Sequence, residues 1–302
     1  MKLGEWHVNM AERMMKKLRM EEKLRENEGK PQLSSPDVVY TGDFVFSKIK
    51  PLNRIGDSGS LLLSKRKSTR SEQYLVKHAY SDCASNEFVY SKIAKAMGYK
   101  MPNMVLFAIS PEEKRNYFKT EYIIGAKYLD ITNHAPSYSV IREHATNWKD
   151  YFSFRTLYLM TGEEDSFETP LVNDGFIYRV DTTNAFPISN FMLDTAGINV
   201  EINGIMPKTY WKEYFLNYAF DHLWDIKYFD QKIDDYTQEY GKECIAPLLE
   251  PFERIQDISA EYIDDFLNTL CYFYPDFVGG FFKNYLAALQ RFSKEYLKTI
   301  VN

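Results

Sequence analysis

At 302 residues, 45% of them apolar and 26% charged, the chain has the make-up of a globular protein of one large domain or two modest ones, which excludes a disordered chain. A formal net charge of −5 speaks against a nucleic-acid binder. Three cysteines without C-x-x-C spacing (Cys83, Cys244, Cys271) read as reduced thiols and not as a disulfide frame or zinc site, and the absence of an apolar leader or an apolar run of spanning length leads us to expect a cytoplasmic protein.

Residues 1–35 read as an N-terminal helical extension. Met10, Met14 and Leu18 recur at helical spacing among charges, and Gly29 followed by "KPQLSSP" ends the pattern. Such a helix docks on the body of the protein or recruits a protein partner. From Tyr40 the period changes to that of strands. "FVFSKIKPLNRI", "SLLLSKRK" and "YLVKHAY", separated by "GDSG" and "STRSEQ", predict an antiparallel meander. "CASNEFVYSKIAKAMGYKMP" predicts a helix with Phe88, Val89, Ile93 and Met97 near one face, closed by Gly98 and Pro102. "MVLFAI" and "YFKTEYII" add two strands, so residues 36–125 are expected to form a small α+β lobe.

A hinge is expected over residues 121–127, and residues 126–302 read as a larger, mostly helical lobe. "WKDYFSFRTLYLM" opens it, and "KTYWKEYFLNYAFDHLWDIKYF", "CIAPLLEPFERI", "AEYIDDFLNTLCYF" and "FFKNYLAALQRFSKEYLKTI" follow. "GGFF" at residues 279–282 reads as a turn that leads into the last helix. The interruption over residues 158–187, "YLMTGEEDSFETPLVNDGFIYRVDTTNAFP", carries the acids of interest. "PLV", the turn "NDG" and "FIYRV" predict a hairpin, which would return Asp165 and Asp181 to one end.

Several residues invite a functional reading beside a plain one. The glycines of "IGDSGS" allow backbone N–H groups to approach an anion, or simply make a hairpin turn. Lys77 shares a strand face with Leu75 and Ala79 and needs an anion there, unless it reaches out to water. Glu87 is placed in the first turn of the following helix, as a partner for Lys77 or as a helix-start charge. The five histidines have no metal-ligand spacing, and "SKRKSTR" at residues 64–70 reads as a solvated basic tip.

The order of glycine turn, strand lysine, helix glutamate, acidic loop and hairpin-borne aspartate resembles the protein-kinase-like fold. The pattern is most similar to the bacterial HipA-like kinases and the related phosphoinositide-kinase-like proteins. Their loop runs G-N-x-D-R-H-x-x-N-x-L, followed by a hairpin and I-D-x-x-x-A-F. This chain has "GEEDSFETPLV" and then "VDTTNAF", with Gly162, Asp165, Asp181, Ala185 and Phe186 in place. The resemblance extends over about residues 44–297 and implies a two-lobed fold that uses ATP and Mg²⁺. It implies that Gly56, Asp57, Ser58 and Gly59 line the phosphates, and that Lys77 holds them with Glu87 fixing its geometry. Glu121 and Ile123 would meet the adenine edge, Asp165 would accept the proton of a substrate hydroxyl, and Asp181 would ligate the metal.

The chain departs from the pattern where the family's loop asparagine falls on Pro170, its histidine on Phe167 and its arginine on Ser166. That removes a second metal contact, for which Glu168 and Asn173 are the nearby alternatives. The resemblance implies a kinase that phosphorylates a serine or threonine of a protein. A pseudokinase that binds nucleotide without turnover is the rival, and a different transfer such as adenylylation or small-molecule phosphorylation is the third reading.

Overall fold

The structure, a computed structural model, describes residues 35–40, 44–48, 60–65, 73–77, 81–108, 123–163, 167–182, 185–186, 224–274 and 276–301. Residues 1–34 of the expected N-terminal helix, residues 55–59 of the expected glycine turn (with Gly56, Asp57, Ser58 and Gly59), Glu121 and Asp165 lie outside them, as do residues 208–223 of the long aromatic run. The chain is mixed α+β. Among the described residues no helix is long and apolar enough to cross a membrane.

The meander expected from the strand runs is present as β2 (Phe44–Lys48), β3 (Ser60–Lys65) and β4 (Gln73–Lys77). Its register pairs Phe46 with Leu63 and Leu62 with Leu75. β5 (Met104–Ala108) and β6 (Ile123–Lys127) complete it, and a short β1 (Val38–Tyr40) adds to β5 in parallel. The sheet order is β1-β5-β6-β4-β3-β2. Three residues of β1 are too few to show a period, and backbone bonding carries it: Leu106 N–H donates to the Asp37 carbonyl at 2.8 Å. Asp37 also pairs with Lys92.

The expected hinge over residues 121–127 is corrected from Ile123 onward. β6 runs to Lys127 between β4 and β5, with Gly125 and Ala126 paired on both sides, so these residues are part of the sheet. Gly125 is there to admit a ring: a Cβ on it would lie 2.1 Å from Cε2 of Phe107.

The helix after β4 is α1 (Ser81–Ala96), which buries Phe88, Val89, Ile93 and Met97 as the sequence indicates. Gly98, at φ 86°, ends it: Tyr99 N–H reaches the Ala94 carbonyl at 3.0 Å and Gly98 N–H the Lys95 carbonyl at 2.9 Å. Because α1 begins at Ser81, Glu87 lies in its second turn and not its first; with 3% of its surface exposed it is a buried group and not a helix-start charge.

The remainder comprises β7 (Ile131–Asn133), α2 (Tyr138–His144), α3 (Asp150–Met160), β8 (Leu171–Val172), α4 (Ile226–Tyr240), α5 (Ile245–Arg254), α6 (Ala260–Phe273) and α7 (Asp276–Val301). α3 lies on α5 through polar contacts set by proline chemistry. Pro251 has no N–H to offer the Pro247 carbonyl one turn back, and the Ser153 hydroxyl donates to that carbonyl at 2.9 Å instead. Two sequence expectations are corrected here. Trp224 and Asp225 are not helical; Asp225 caps α4, accepting the Lys227 N–H at 2.9 Å. Gly279 is inside α7 and not in a turn before it; its glycine is accounted for by packing, since a Cβ there would meet Sγ of Cys271 on α6 at 2.3 Å.

Candidate functional site

The segment that the sequence marks out begins at the end of α3. Gly162 takes φ 61°, the left-handed conformation that closes a helix. Glu163 N–H then reaches the Tyr158 carbonyl at 3.1 Å and Gly162 N–H the Leu159 carbonyl at 3.2 Å. The Met160 carbonyl accepts from Trp224 Nε1 at 2.9 Å and from the Tyr285 hydroxyl at 3.0 Å. This helix end is therefore fixed on every side that the described residues offer, and Glu163 leaves it pointing into the protein, fully buried.

The expected hairpin is present. Glu168 pairs with Val180 and Leu171 with Ile177, while Tyr178 N–H donates to the Pro170 carbonyl at 3.1 Å. Its loop has three residues, Asn173, Asp174 and Gly175, with Gly175 at φ 79°. Asp174 stiffens the turn by accepting from Phe176 N–H at 3.2 Å and from the Tyr178 hydroxyl at 2.7 Å. The second strand is pinned from outside by Asn147, which accepts from Ile177 N–H at 2.8 Å and donates to the Ile177 carbonyl at 3.0 Å. β7 pairs with β8 and completes the support.

Asp181 follows directly, at φ 56°. A non-glycine residue in the left-handed region costs on the order of 1 kcal/mol and is kept where its surroundings hold it. Five residues later Phe186 repeats the feature at φ 63°, its N–H donating to the Thr161 carbonyl at 2.7 Å. Its ring lies 5.3 Å from Phe282 and 5.1 Å from Tyr285. The match of "VDTTNAF" thus corresponds to a strained exit from the hairpin that docks back onto the end of α3.

A feature the sequence reading missed organises this region. Arg179 is completely buried; its Nη2 lies 2.6 Å from Oε2 of Glu163, and its Nη1 donates to the carbonyls of Glu168, at 3.2 Å, and Val180. Phe167, where the family pattern has histidine, lies 5.0 Å from the same guanidinium and 3.8 Å from that of Arg155, so an aromatic face serves two cations. Tyr90 of α1 is the third neighbour: burial pushes its hydroxyl above the ordinary range, with Arg179 opposing. Burial works against the charge of Arg179, and Tyr90 and Glu163 outweigh that and raise its pKa. A signal was present in "FIYRV", where Arg179 shares the strand face of buried Ile177 and so calls for a buried acid.

The other expected site residues are placed as follows. Lys77 is the last residue of β4, opposite Ser60, and Ile123 is the first of β6, opposite Phe107. Glu87 lies one turn before Tyr90 on the helix that meets Arg179 and Glu163. Of the two alternatives for the second metal contact, Glu168 lies at the open end of the hairpin across from Val180, beside Asp181. Asn173 is in the turn five residues further, roughly 16 Å away at strand rise, and is bonded to Asp130 at 3.4 Å. Pro170 is buried on the strand opposite Tyr178.

Among the described residues no three His, Cys, Asp or Glu side chains form a ready metal cage. A magnesium ion carried on nucleotide phosphates does not need one, since one or two carboxylates suffice. Asp181, partly exposed at the hairpin exit, fits that demand.

No protein-family model matches the sequence and no curated protein matches it. Among solved structures the chain is similar to a Helicobacter pylori proinflammatory kinase, CtkA, at 11% identity and a TM-score of 0.47, over 85% of this chain and 98% of that one.

Proposed function

We propose that this chain is an ATP- and Mg²⁺-dependent phosphotransferase of protein-kinase-like, HipA-like design, acting on a serine or threonine hydroxyl of a protein. The observation that carries the reading is Asp181, held at φ 56° at the exit of a braced hairpin with Glu168 and the end of α3 around it. Strained backbone clusters at ligand-binding and active sites, and here it lies at a partly exposed carboxylate. The order of β2, β3, β4 and α1 supports the rest, because it sets Lys77 at a strand end and buries Glu87 on the helix that follows.

In this reading Lys77 and the turn over residues 56–59 hold the nucleotide phosphates, and Asp181 holds the metal that they carry. Magnesium, when bound, spreads the charge of the transferring phosphoryl group. Asp165 receives the proton of the attacking hydroxyl. The bond from the γ-phosphorus to the ADP oxygen breaks as the bond to the substrate oxygen forms.

The test is a thermal melt with ATP alone and with ATP plus MgCl₂, followed by incubation with γ-labelled ATP and an Asp165→Asn control. A melt raised further by magnesium, with label incorporated by the wild type and reduced at least a hundredfold in the variant, supports the reading. An unmoved melt with both additions sinks it, and label delivered from the α-phosphate assigns nucleotidyl transfer instead.

One observation favours the rival in which nucleotide binds without turnover: Pro170 replaces the loop asparagine and has no side-chain ligand to give. Its position argues that asparagine would not repair the site, because residue 170 is buried beside Tyr178, two residues inward from Glu168. Pro170→Asn is expected to lower stability by about 1–3 kcal/mol by burying an amide, with no gain in label transfer. A tenfold or larger gain would show instead that the native loop is crippled and assign the scaffold role.

A further inference from the structure

Arg142 pairs with Glu243 at 2.9 Å, Arg179 with Glu163 at 2.6 Å, and Arg254 with Glu250. Arg155, in the middle of α3, has no such partner among the described residues, in a chain whose acids outnumber its lysines and arginines 42 to 37. Aromatic groups hold it instead. The Phe167 ring lies 3.8 Å from its guanidinium and the Tyr151 ring 5.1 Å, while Nη2 donates to the Tyr151 hydroxyl at 2.7 Å. Tyr236 of α4 stands close by: burial raises the pKa of its hydroxyl, and the charge of Arg155 opposes that rise. Ring faces attract a cation but accept nothing in the plane of the guanidinium, where its five N–H groups point. Tyr151 takes one of them, and Nε–H is buried with no acceptor among the described residues. A buried donor left so is rare in folded proteins and calls for a group that completes it. Arg155 and Phe167 are both partly exposed, so the aromatic collar is open on one side.

Charge and shape select the completing group. Arg179, the other cation on the Phe167 ring, is neutralised by Glu163, which leaves one positive charge in the collar to balance. Asp235 and Glu239, on the last turns of α4, are engaged by Lys232, at 3.6 Å, and by the Tyr240 hydroxyl. A planar group with a single negative charge, entering between rings in the plane of the guanidinium, is a carboxylate. Beside the collar the surface of α4 is aromatic and basic. Tyr228, 43% exposed, has Lys232 5.5 Å from its ring, and Tyr236 follows at the same helical spacing. That strip suits the residues that flank an acid in a peptide, whereas a small free acid would leave it unused.

We infer that Arg155 anchors a peptide-binding surface and takes the carboxylate of a glutamate or aspartate, with Tyr228, Lys232 and Tyr236 beneath the neighbouring residues. The inference stands apart from the phosphotransferase reading and is tested without nucleotide.

The experiment is an NMR titration of the full chain that follows the arginine Nε–H resonances, with that of Arg155 identified by its loss in Arg155→Lys. The titrants are a capped pentapeptide with a central glutamate between leucines, its glutamine and phosphoserine counterparts, and sodium propionate. The glutamate peptide is expected to move the Arg155 resonance saturably. It should bind about tenfold to a hundredfold more tightly than the glutamine peptide, the range of a charge-assisted hydrogen bond. Arg155→Lys keeps the charge and loses the fork. By anisotropy of a dye-labelled peptide it is expected to weaken the glutamate peptide about tenfold and to leave the glutamine peptide within about twofold. If that variant does not accumulate folded, the comparison of the two peptides on wild type decides alone. Equal binding of the glutamate and glutamine peptides overturns the inference, as does a glutamate peptide that leaves the Arg155 resonance in place. Tighter binding of the phosphoserine peptide overturns the assignment to a carboxylate. Propionate that binds as tightly as the glutamate peptide overturns the assignment to a peptide.

Discussion

Arg179→Met is expected to lower the unfolding free energy by about 3–5 kcal/mol, among the largest losses any single substitution should cause here. The reason is the state left behind. Glu163 has none of its side chain exposed, and Arg179 lies 2.6 Å from its carboxylate. Methionine fills much of the arginine's volume, so the packing against Phe167 and Tyr158 is largely kept. The cation is what disappears, and with it the two donors to the carbonyls of Glu168 and Val180. A carboxylate deprived of its buried partner must be protonated or drag water into the core, and either is costly.

Adding Glu163→Gln to Arg179→Met removes the stranded charge, and the double variant is expected to recover to within about 1–2 kcal/mol of wild type. Urea unfolding of the single and double variants measures both. A single variant that loses less than about 1 kcal/mol would show that the pair is poorly coupled. A double variant no more stable than the single one would move the cost to the lost carbonyl contacts.

How far the fold was legible in the sequence follows from which forces write themselves into local pattern. Alternation and turn chemistry exposed β2, β3 and β4, and the face of α1 with Phe88, Val89, Ile93 and Met97 was readable because burial recurs at helical spacing. β1 was invisible, since its three residues owe their place to pairing with β5, a partner about seventy positions away. The start of β6 reads as a strand in "YFKTEYII", while its end reads as a hinge because the character of the chain shifts after Gly125. The cause of that glycine is the ring of Phe107 across the strand pair, which no local window contains. Gly279 misled in the same way, through Cys271 on the neighbouring helix.

At the candidate site the ordered motifs pointed to the segment from Gly162 to Phe186, and the backbone is unusual at positions that they match. The left-handed conformations at Gly162, Asp181 and Phe186 coincide with three matched positions. What the motifs did not contain is the support. Arg179 lies between two residues of ordinary strand character, and its partner Glu163 is hidden among three consecutive acids. Only folding the hairpin back on the end of α3 distinguishes the buried acid from its neighbours. Position 170 shows the converse: the family pattern made it decisive, while its buried place beside Tyr178 makes Glu168 the more informative residue.

Asp181→Gly should leave the stability of the chain within about 0.5 kcal/mol of wild type while lowering phosphoryl transfer at least a thousandfold. The two effects have separate causes. At φ 56° the backbone of residue 181 is one that glycine adopts freely and a residue with a Cβ does not, so glycine relieves strain already present. That gain is offset by the larger conformational entropy of an unfolded chain with one more glycine and by the loss of the carboxylate's own contacts, which keeps the net change small. The loss of function follows from the proposed role, since no other part of the residue can hold the metal on the phosphates. Phe186 provides the control, because it has the same kind of backbone at φ 63° but packs its ring against Phe282 and Tyr285. Phe186→Gly relieves similar strain yet opens a cavity in a fully packed cluster, so it is expected to destabilise by about 3–4 kcal/mol. Denaturant unfolding and γ-label transfer, measured on both variants, separate a strained backbone kept for chemistry from one kept for packing. If Asp181→Gly keeps label transfer within tenfold of wild type, the metal role passes from Asp181.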